Sequence, residues 1–208
     1  MAAPRRTGSQ PSKVMFVAQP PVDGSSPDSK RSRVEVQPAL SFSEEDKVGT
    51  LQPYDDAIVV TFKISGYNVK RVLVDQDSGI EIMYLNLFKR LKLRFEDLTC
   101  YDSPLIRFDG KIVFSKGQIR LLVQTGTKVV EVNFIMIDAY SLYTPIMARP
   151  WLHTMKAVSS TLHLKVKYPS RGRVKELVGS QSMAKQCMVA TIRYQTGDES
   201  LASTAREL

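Results

Sequence analysis

What most limits the fold of this chain is a succession of short apolar runs between residues 57 and 138, rich in β-branched side chains and broken by Gly- or Asp-bearing turns. Residues 57–64 and 69–74 flank Ser65-Gly66-Tyr67-Asn68 and read as a hairpin. Residues 104–108 and 111–114 read as two short strands around Asp109-Gly110. Residues 118–124 and 129–138 predict a longer hairpin across Thr125-Gly126-Thr127. Only residues 84–93 carry helical spacing: Leu85, Phe88 and Leu91 recur every three positions, with Leu87 four before Leu91. That stripe reads as core. Residues 97–104 read as a loop. Further on, residues 145–152 predict a strand end running into a short helix that starts near Pro150, and residues 162–166 a last alternating strand. Beyond Pro169 the chain turns polar, and residues 183–192 fit a helix or a strand equally. Many short strands with one clear helix describe an all-β barrel-like or sandwich domain.

One of these runs ends unusually. Val72-Leu73-Val74 leads into Asp75, a turn of Gln76-Asp77-Ser78-Gly79 follows, and Ile80-Glu81-Ile82-Met83 continues as a second apolar stretch. A strand that delivers an Asp to the edge of a core gives that carboxylate a partner or a task, because a buried charge without either is costly. The plain alternative is a strand end with Asp-Ser-Gly as turn chemistry.

The formal charge of +8 invites a nucleic-acid reading, so its location matters. Residues 1–40 hold six basic and three acidic side chains, residues 41–155 fourteen of each, and residues 156–208 nine and four. The excess sits in the flanks, and nucleic acid is not expected as a partner of the folded core. Residues 1–40, rich in Pro, Ser, Gln and charge, predict a disordered basic leader. Residues 41–192 form the expected domain, with its core at about 55–168, and residues 193–208 a flexible tail. Two distant cysteines, Cys100 and Cys187, and two histidines argue against a structural zinc site and for a reducing compartment. Neither a signal-peptide core nor an apolar run of membrane-spanning length is present in the sequence. The expectation is a soluble protein of the cytoplasm or nucleus with no membrane partner.

Two later motifs give the Asp75 turn a context. Ile146-Met147-Ala148-Arg149-Pro150-Trp151-Leu152 resembles an Ile-(Leu/Val)-(Gly/Ala)-Arg-Pro-Trp-Leu pattern. Val158-Ser159-Ser160-Thr161-Leu162-His163-Leu164-Lys165-Val166-Lys167-Tyr168-Pro169 resembles Val-Ser-Thr-x-His-x-Lys-x-Lys-(Tyr/Phe)-Pro. Together with the Asp75 segment they resemble retropepsins, the small aspartic proteases of retroviruses and LTR retrotransposons, and in particular those of plant gypsy-class polyproteins. The resemblance covers roughly residues 40–192. It implies a closed retropepsin-like barrel with one amphipathic helix and a short helix after the Ile-Met-Ala-Arg-Pro motif. It places Asp75 at the catalytic aspartate, Gln76 at the variable position after it, Ser78 at the motif Ser, and Glu81 at the acidic position that follows. Asp109-Gly110 resembles the tip of the flap that covers substrate. Ile146, Ala148 and Arg149 belong to the motif supporting the active-site turn from behind.

The family has Gly where this chain has Asp77, and commonly Ser where it has Gly79, so the copy resembles a degenerate one. A second register, with Asp77-Ser78-Gly79-Ile80 as the Asp-Ser-Gly motif, keeps strand parity and makes Asp77 the alternative catalytic residue. The resemblance implies aspartic endopeptidase chemistry in a homodimer, one Asp per chain, acting on an extended peptide without cofactor or metal. With an extra carboxylate at 77, activity is expected to be weak or absent. A non-catalytic dimerisation or peptide-binding module and a basic nucleic-acid-binding segment stand as alternatives. Among the remaining residues, His153 and His163 read as surface or strand positions, Trp151 as core, Cys100 as an inert loop thiol, and Arg149 as a fork for carbonyls or a carboxylate near the turn.

Overall fold

The structure, a computed structural model, describes residues 38–47, 49, 56–106, 110 and 112–195. Residues 1–37 of the expected leader at 1–40, residues 196–208 of the expected tail at 193–208, and the expected flap residue Asp109 lie outside the described residues. Strands β1 (Ile58–Ile64) and β2 (Tyr67–Val74) pair as the predicted hairpin, with Ile64 opposite Tyr67 across Ser65-Gly66. The long hairpin is β6 (Gly117–Thr125) and β7 (Lys128–Ile137), in unbroken register from Gly117↔Met136 to Thr125↔Lys128. With β3 (Glu81–Tyr84) and β8 (Pro145–Met147) these strands close a barrel in the order β1-β2-β8-β3-β7-β6. The ring closes where β1 meets β6, at Lys63↔Gln124 and Ile64↔Val123. Of the barrel and sandwich that the strand pattern left open, the closed barrel is the observed fold.

Alternation along each strand fills the barrel. Val60, Phe62, Ile64, Val72, Val74, Val123, Phe134, Met136 and Met147 all turn inward and are buried. Helix α1 (Leu85–Arg90) covers one side with Leu87 and Phe88, and is shorter than the predicted 84–93. Leu91 caps it, and Lys92 leaves the helix with φ +57°. Helix α2 (Arg149–Met155) follows β8 directly and buries Trp151, Leu152 and Met155, with the Trp151 ring 5.2 Å from that of Phe62. Pro150 sits in its first turn, where a missing N–H breaks no helical hydrogen bond.

Past residue 155 the structure departs from expectation. The strand expected at 162–166 is instead a 3-10 turn over Thr161–His163, with Leu164 at φ +49°. The strand starts only at Lys165. A second sheet then forms from β9 (Val158–Ser160), β10 (Lys165–Ser170) and β11 (Arg173–Val178), with β10 in the middle. Pro169 is tolerated because β9 pairs only with Lys165–Lys167, leaving that side of β10 open beyond Lys167. Arg171 and Gly172 take φ +48° and +72°, the pair of values that a two-residue hairpin turn with matching twist needs. Helix α3 (Gln181–Gln195), the third α-helix of the described residues, resolves the ambiguous 183–192 pattern as helical and buries Ala184 and Cys187. The Gly179 N–H donates to the Leu164 carbonyl at 2.7 Å, and the Ser180 N–H to the Val59 carbonyl at 2.8 Å. None of the described helices is long and apolar enough to cross a membrane.

Candidate active site

The Asp75 turn is built by two strands that are close in sequence and a third that is distant. β2 enters it and β3 leaves it, yet the two do not pair with each other; β8 lies between them. β8 runs parallel to β2 (Leu73↔Ile146, Val74↔Met147) and antiparallel to β3 (Ile82↔Ile146, Met83↔Pro145). A bulge makes room: opposite Val60–Phe62, β2 carries an extra residue, and Arg71 adopts φ +60°. The freed carbonyls of Lys70 and Arg71 accept the Thr144 hydroxyl at 2.6 and 3.3 Å, and that of Arg71 also accepts the Thr144 N–H at 3.0 Å. β8 is thus anchored just before it reaches the turn.

Asp75 sits where β2 ends. Its N–H donates to the Met147 carbonyl at 2.9 Å, continuing the β2–β8 ladder by one step. Its side chain is half-buried, on the face of Leu73 and not on the core face of Val72 and Val74. One carboxylate oxygen accepts the N–H of Asp77 at 2.9 Å, which closes the turn on itself. The Asp77 side chain is exposed. Ser78 donates its hydroxyl to the Ile80 carbonyl at 3.2 Å, and its own carbonyl accepts the Arg149 N–H at 3.2 Å. The exposed Gln76 accepts a hydrogen bond from the Ser159 hydroxyl of β9 at 2.8 Å. The turn is therefore fastened to β8, to the start of α2 and to the second sheet.

Neither Asp77 nor Gly79 takes a positive φ. The turn accommodates a side chain at 77 without backbone strain, and what Asp77 adds is bulk and charge. A Cβ on Gly79 would lie 3.6 Å from Arg149 Nη2, an ordinary contact, so Ser would fit there. Arg149 differs from expectation: it is exposed, its side chain has no ion pair among the described residues, and its tie to the turn is through the backbone N–H. Ile146 is half-buried and Ala148 fully buried behind the turn.

The resemblance set Glu81 at the acidic position after the turn; what sequence reasoning did not reveal is its burial against the start of α2. Glu81 shares the inward face of β3 with Met83 and is 5% exposed. Its carboxylate accepts the Trp151 N–H at 2.7 Å, satisfying one of the unpaired donors at the start of α2. Burial pushes its pKa up, while the backbone amides of Trp151, Glu81 and Ala148 oppose the rise. Strand parity was the available signal, because it aligns Glu81 with Met83.

The other residues separate. Gly110 is exposed, and the short strands β4 (Leu105–Ile106) and β5 (Ile112–Val113) flank it. Ile106 and Phe114 beside it are 73% and 76% exposed. His153 is exposed, as expected, but His163 is buried, where Nδ1 shares a 2.7 Å hydrogen bond with Ser160 and the ring stacks on Phe42. Trp151 is core, 1% exposed. The Cys100 thiol is exposed and donates to Asp102 at 2.7 Å, a contact that raises its pKa. Among the described residues no group of His, Cys, Asp and Glu is disposed to hold a metal ion.

No protein-family model and no curated protein matches the chain. Solved structures do. The retroviral protease-like domain of Ddi1 from Leishmania major is similar at 16% identity, over 58% of this chain and 93% of that one, with a TM-score of 0.44. EIAV protease, solved with an inhibitor, is similar at 14% identity over 53% and 99%, with a TM-score of 0.44. A retropepsin-like aspartic protease from Rickettsia conorii is similar at 14% identity over 49% and 75%, with a TM-score of 0.37.

Proposed function

We propose that residues 41–192 form a retropepsin-type aspartic endopeptidase domain, descended from a plant gypsy-class retrotransposon polyprotein, in which Asp75 is the catalytic acid. The observation that carries this reading is the position of Asp75: half-buried at the end of a barrel strand, its N–H held by the carbonyl of Met147 in the strand wedged behind the turn. A carboxylate so placed can be presented to a second copy of itself across a two-fold axis. Two carboxylates at close range share one proton, so one takes a proton from water while the other protonates or polarises the peptide carbonyl. No covalent intermediate is needed. The hairpin around Gly110, with its apolar flanks, would close over an extended peptide.

Asp77 alters that scheme. A dimer would carry four carboxylates near its axis, and repulsion among them raises the cost of keeping any two ionised. The proposed enzyme is therefore weak or silent in its present form. The hydrogen bond from the Asp77 N–H to Asp75 favours Asp75 over Asp77 as the catalytic residue, because Asp77 itself is exposed and unsupported. The second reading is a dimeric, non-catalytic peptide-binding module, favoured by that same exposed carboxylate at 77.

The test is proteolysis of a mixed peptide library by the purified full chain, by its Asp77→Gly variant, and by the doubly changed Asp77→Gly/Asp75→Ala form. Cleavage that appears with the glycine and disappears with the alanine supports the enzyme. Dimers without cleavage in any form support the binding module. Cleavage surviving Asp75→Ala excludes the assignment.

A further inference from the structure

The neutral charge balance of residues 41–155 stops short of where the folded chain stops. Between Asp138 and Glu176 the sequence contains no acidic residue, and this stretch includes α2, β9, β10 and the turn into β11. Two of its lysines are neutralised. Lys165 and Lys167 engage Asp46 at 3.5 and 2.8 Å, and Lys165 also engages Glu176 at 3.3 Å. Lys156, Arg171, Arg173 and Lys175 form no ion pair among the described residues, and neither does Lys128 of β7.

These five cations gather at one end of the domain. The tips of the β6–β7 and β10–β11 hairpins meet there: the hydroxyls of Thr127 and Ser170 are 3.3 Å apart, and the Tyr168 hydroxyl donates to the Thr125 carbonyl at 3.3 Å. Ser170 lies opposite Arg173 and Tyr168 opposite Lys175. Residues opposite one another in an antiparallel pair share a sheet face, so Arg173 and Lys175 stand on the face that abuts the Thr127–Lys128 tip. Lys128 donates to the Met155 carbonyl at 3.1 Å, the end of α2, beside Lys156. Burial and the charge of Lys156 both push the Lys128 pKa down. Like charges are thus held together with no acid ion-paired to them among the described residues, and hydroxyls stand among them.

We propose that this junction is a sequence-independent docking surface for the phosphate backbone of a nucleic acid. Guanidinium and ammonium groups interleaved with hydroxyl donors suit phosphate oxygens. Among the described residues the patch has no exposed Phe, Tyr or Trp ring to read or stack bases, and its exposed valines, Val129 and Val174, fall on the opposite strand face from Lys128, Arg173 and Lys175. The inference does not depend on the endopeptidase reading.

The test is binding of the full chain to a fluorescent oligonucleotide duplex across a salt series. Each phosphate contact adds about 0.9 to the slope of log affinity against log salt. The triple variant Arg171→Gln/Arg173→Gln/Lys175→Gln should lower that slope by about 2 to 3 and weaken binding at low salt by at least about tenfold. The control Lys89→Gln/Arg90→Gln/Lys92→Gln removes the same charge from the end of α1 and should change affinity by less than about twofold, since those side chains lie outside the proposed surface. Thermal melts of both variants establish that each is folded. Equal losses in the two variants, an unchanged slope in the first, or binding of polyglutamate but not of the duplex would each overturn the proposal.

Discussion

The carboxylate of Glu81 accepts the backbone N–H of Trp151 at 2.7 Å inside the core, bridging β3 to the first turn of α2 across seventy positions of sequence. Glu81→Ala leaves a buried donor unsatisfied and should destabilise the fold by about 1–3 kcal/mol in denaturant titration. The pH dependence has a definite sign. The folded-state pKa of Glu81 is raised above its ordinary 4.5, so the native state holds the proton more tightly than the unfolded one. Wild-type stability should fall as pH rises from 4.5 through that raised value. Glu81→Gln, which cannot ionise, should lack this limb of the profile.

Trp151 packs against Phe62 with its indole Nε1 buried and without a hydrogen-bond partner among the described residues. Truncation to Ala should cost about 3–5 kcal/mol. Trp151→Phe keeps most of the apolar contact and removes the orphaned donor, so its loss in the same titration should be clearly smaller. Equal losses would mean that the indole nitrogen is satisfied.

Activity should respond to position 77. Removing the extra carboxylate with Asp77→Gly relieves crowding and repulsion at the proposed dyad, and peptidase turnover should rise. Asp75→Ala in that background should abolish at least about a hundredfold of it, the usual contribution of a positioned acid or base. Gly79→Ser should leave the melting temperature within the scatter of repeats, because the added Cβ meets only Arg149 Nη2 at 3.6 Å.

Asp46 fastens the segment before the barrel to the second sheet. It accepts a hydrogen bond from Lys167, which together with the Ser43 N–H holds its pKa well below the ordinary 3.8. Its contribution is present above pH 3.8 and is lost as the pH falls toward the depressed value. Asp46→Asn should raise hydrogen exchange in residues 41–47 at neutral pH, and the wild type should show the same loosening only in strong acid.

Much of this architecture was legible in local pattern. The β1–β2 and β6–β7 hairpins are contiguous, carry turn residues and alternate visibly, so neighbouring sequence contains their pairing. The strand ending at Asp75 was likewise readable, because Val72-Leu73-Val74 has no competing helical period. The wedge of β8 between β2 and β3 was not, since a three-residue strand has no periodicity and its partners lie far away. β11 escaped because Arg173 to Glu176 are all exposed and show no alternation. The strand expected at 162–166 failed because Leu164 takes a left-handed conformation that its apolar side chain does not advertise. His163 was misjudged, and the burial of Glu81 went unforeseen, for one reason: each is a polar residue buried by a partner supplied from another element.

The wedge also dictates an order of assembly. Val74 meets Met147 across seventy-three positions, so as the chain leaves the ribosome the acid-bearing turn exists for a long interval as two unpaired strand edges. Loop closure of that span must precede any organised site, so closing this corner of the barrel costs more entropy than forming either of the contiguous hairpins. Loss of β8 would leave β2 and β3 with open edges at this corner, whatever the chemistry of the turn.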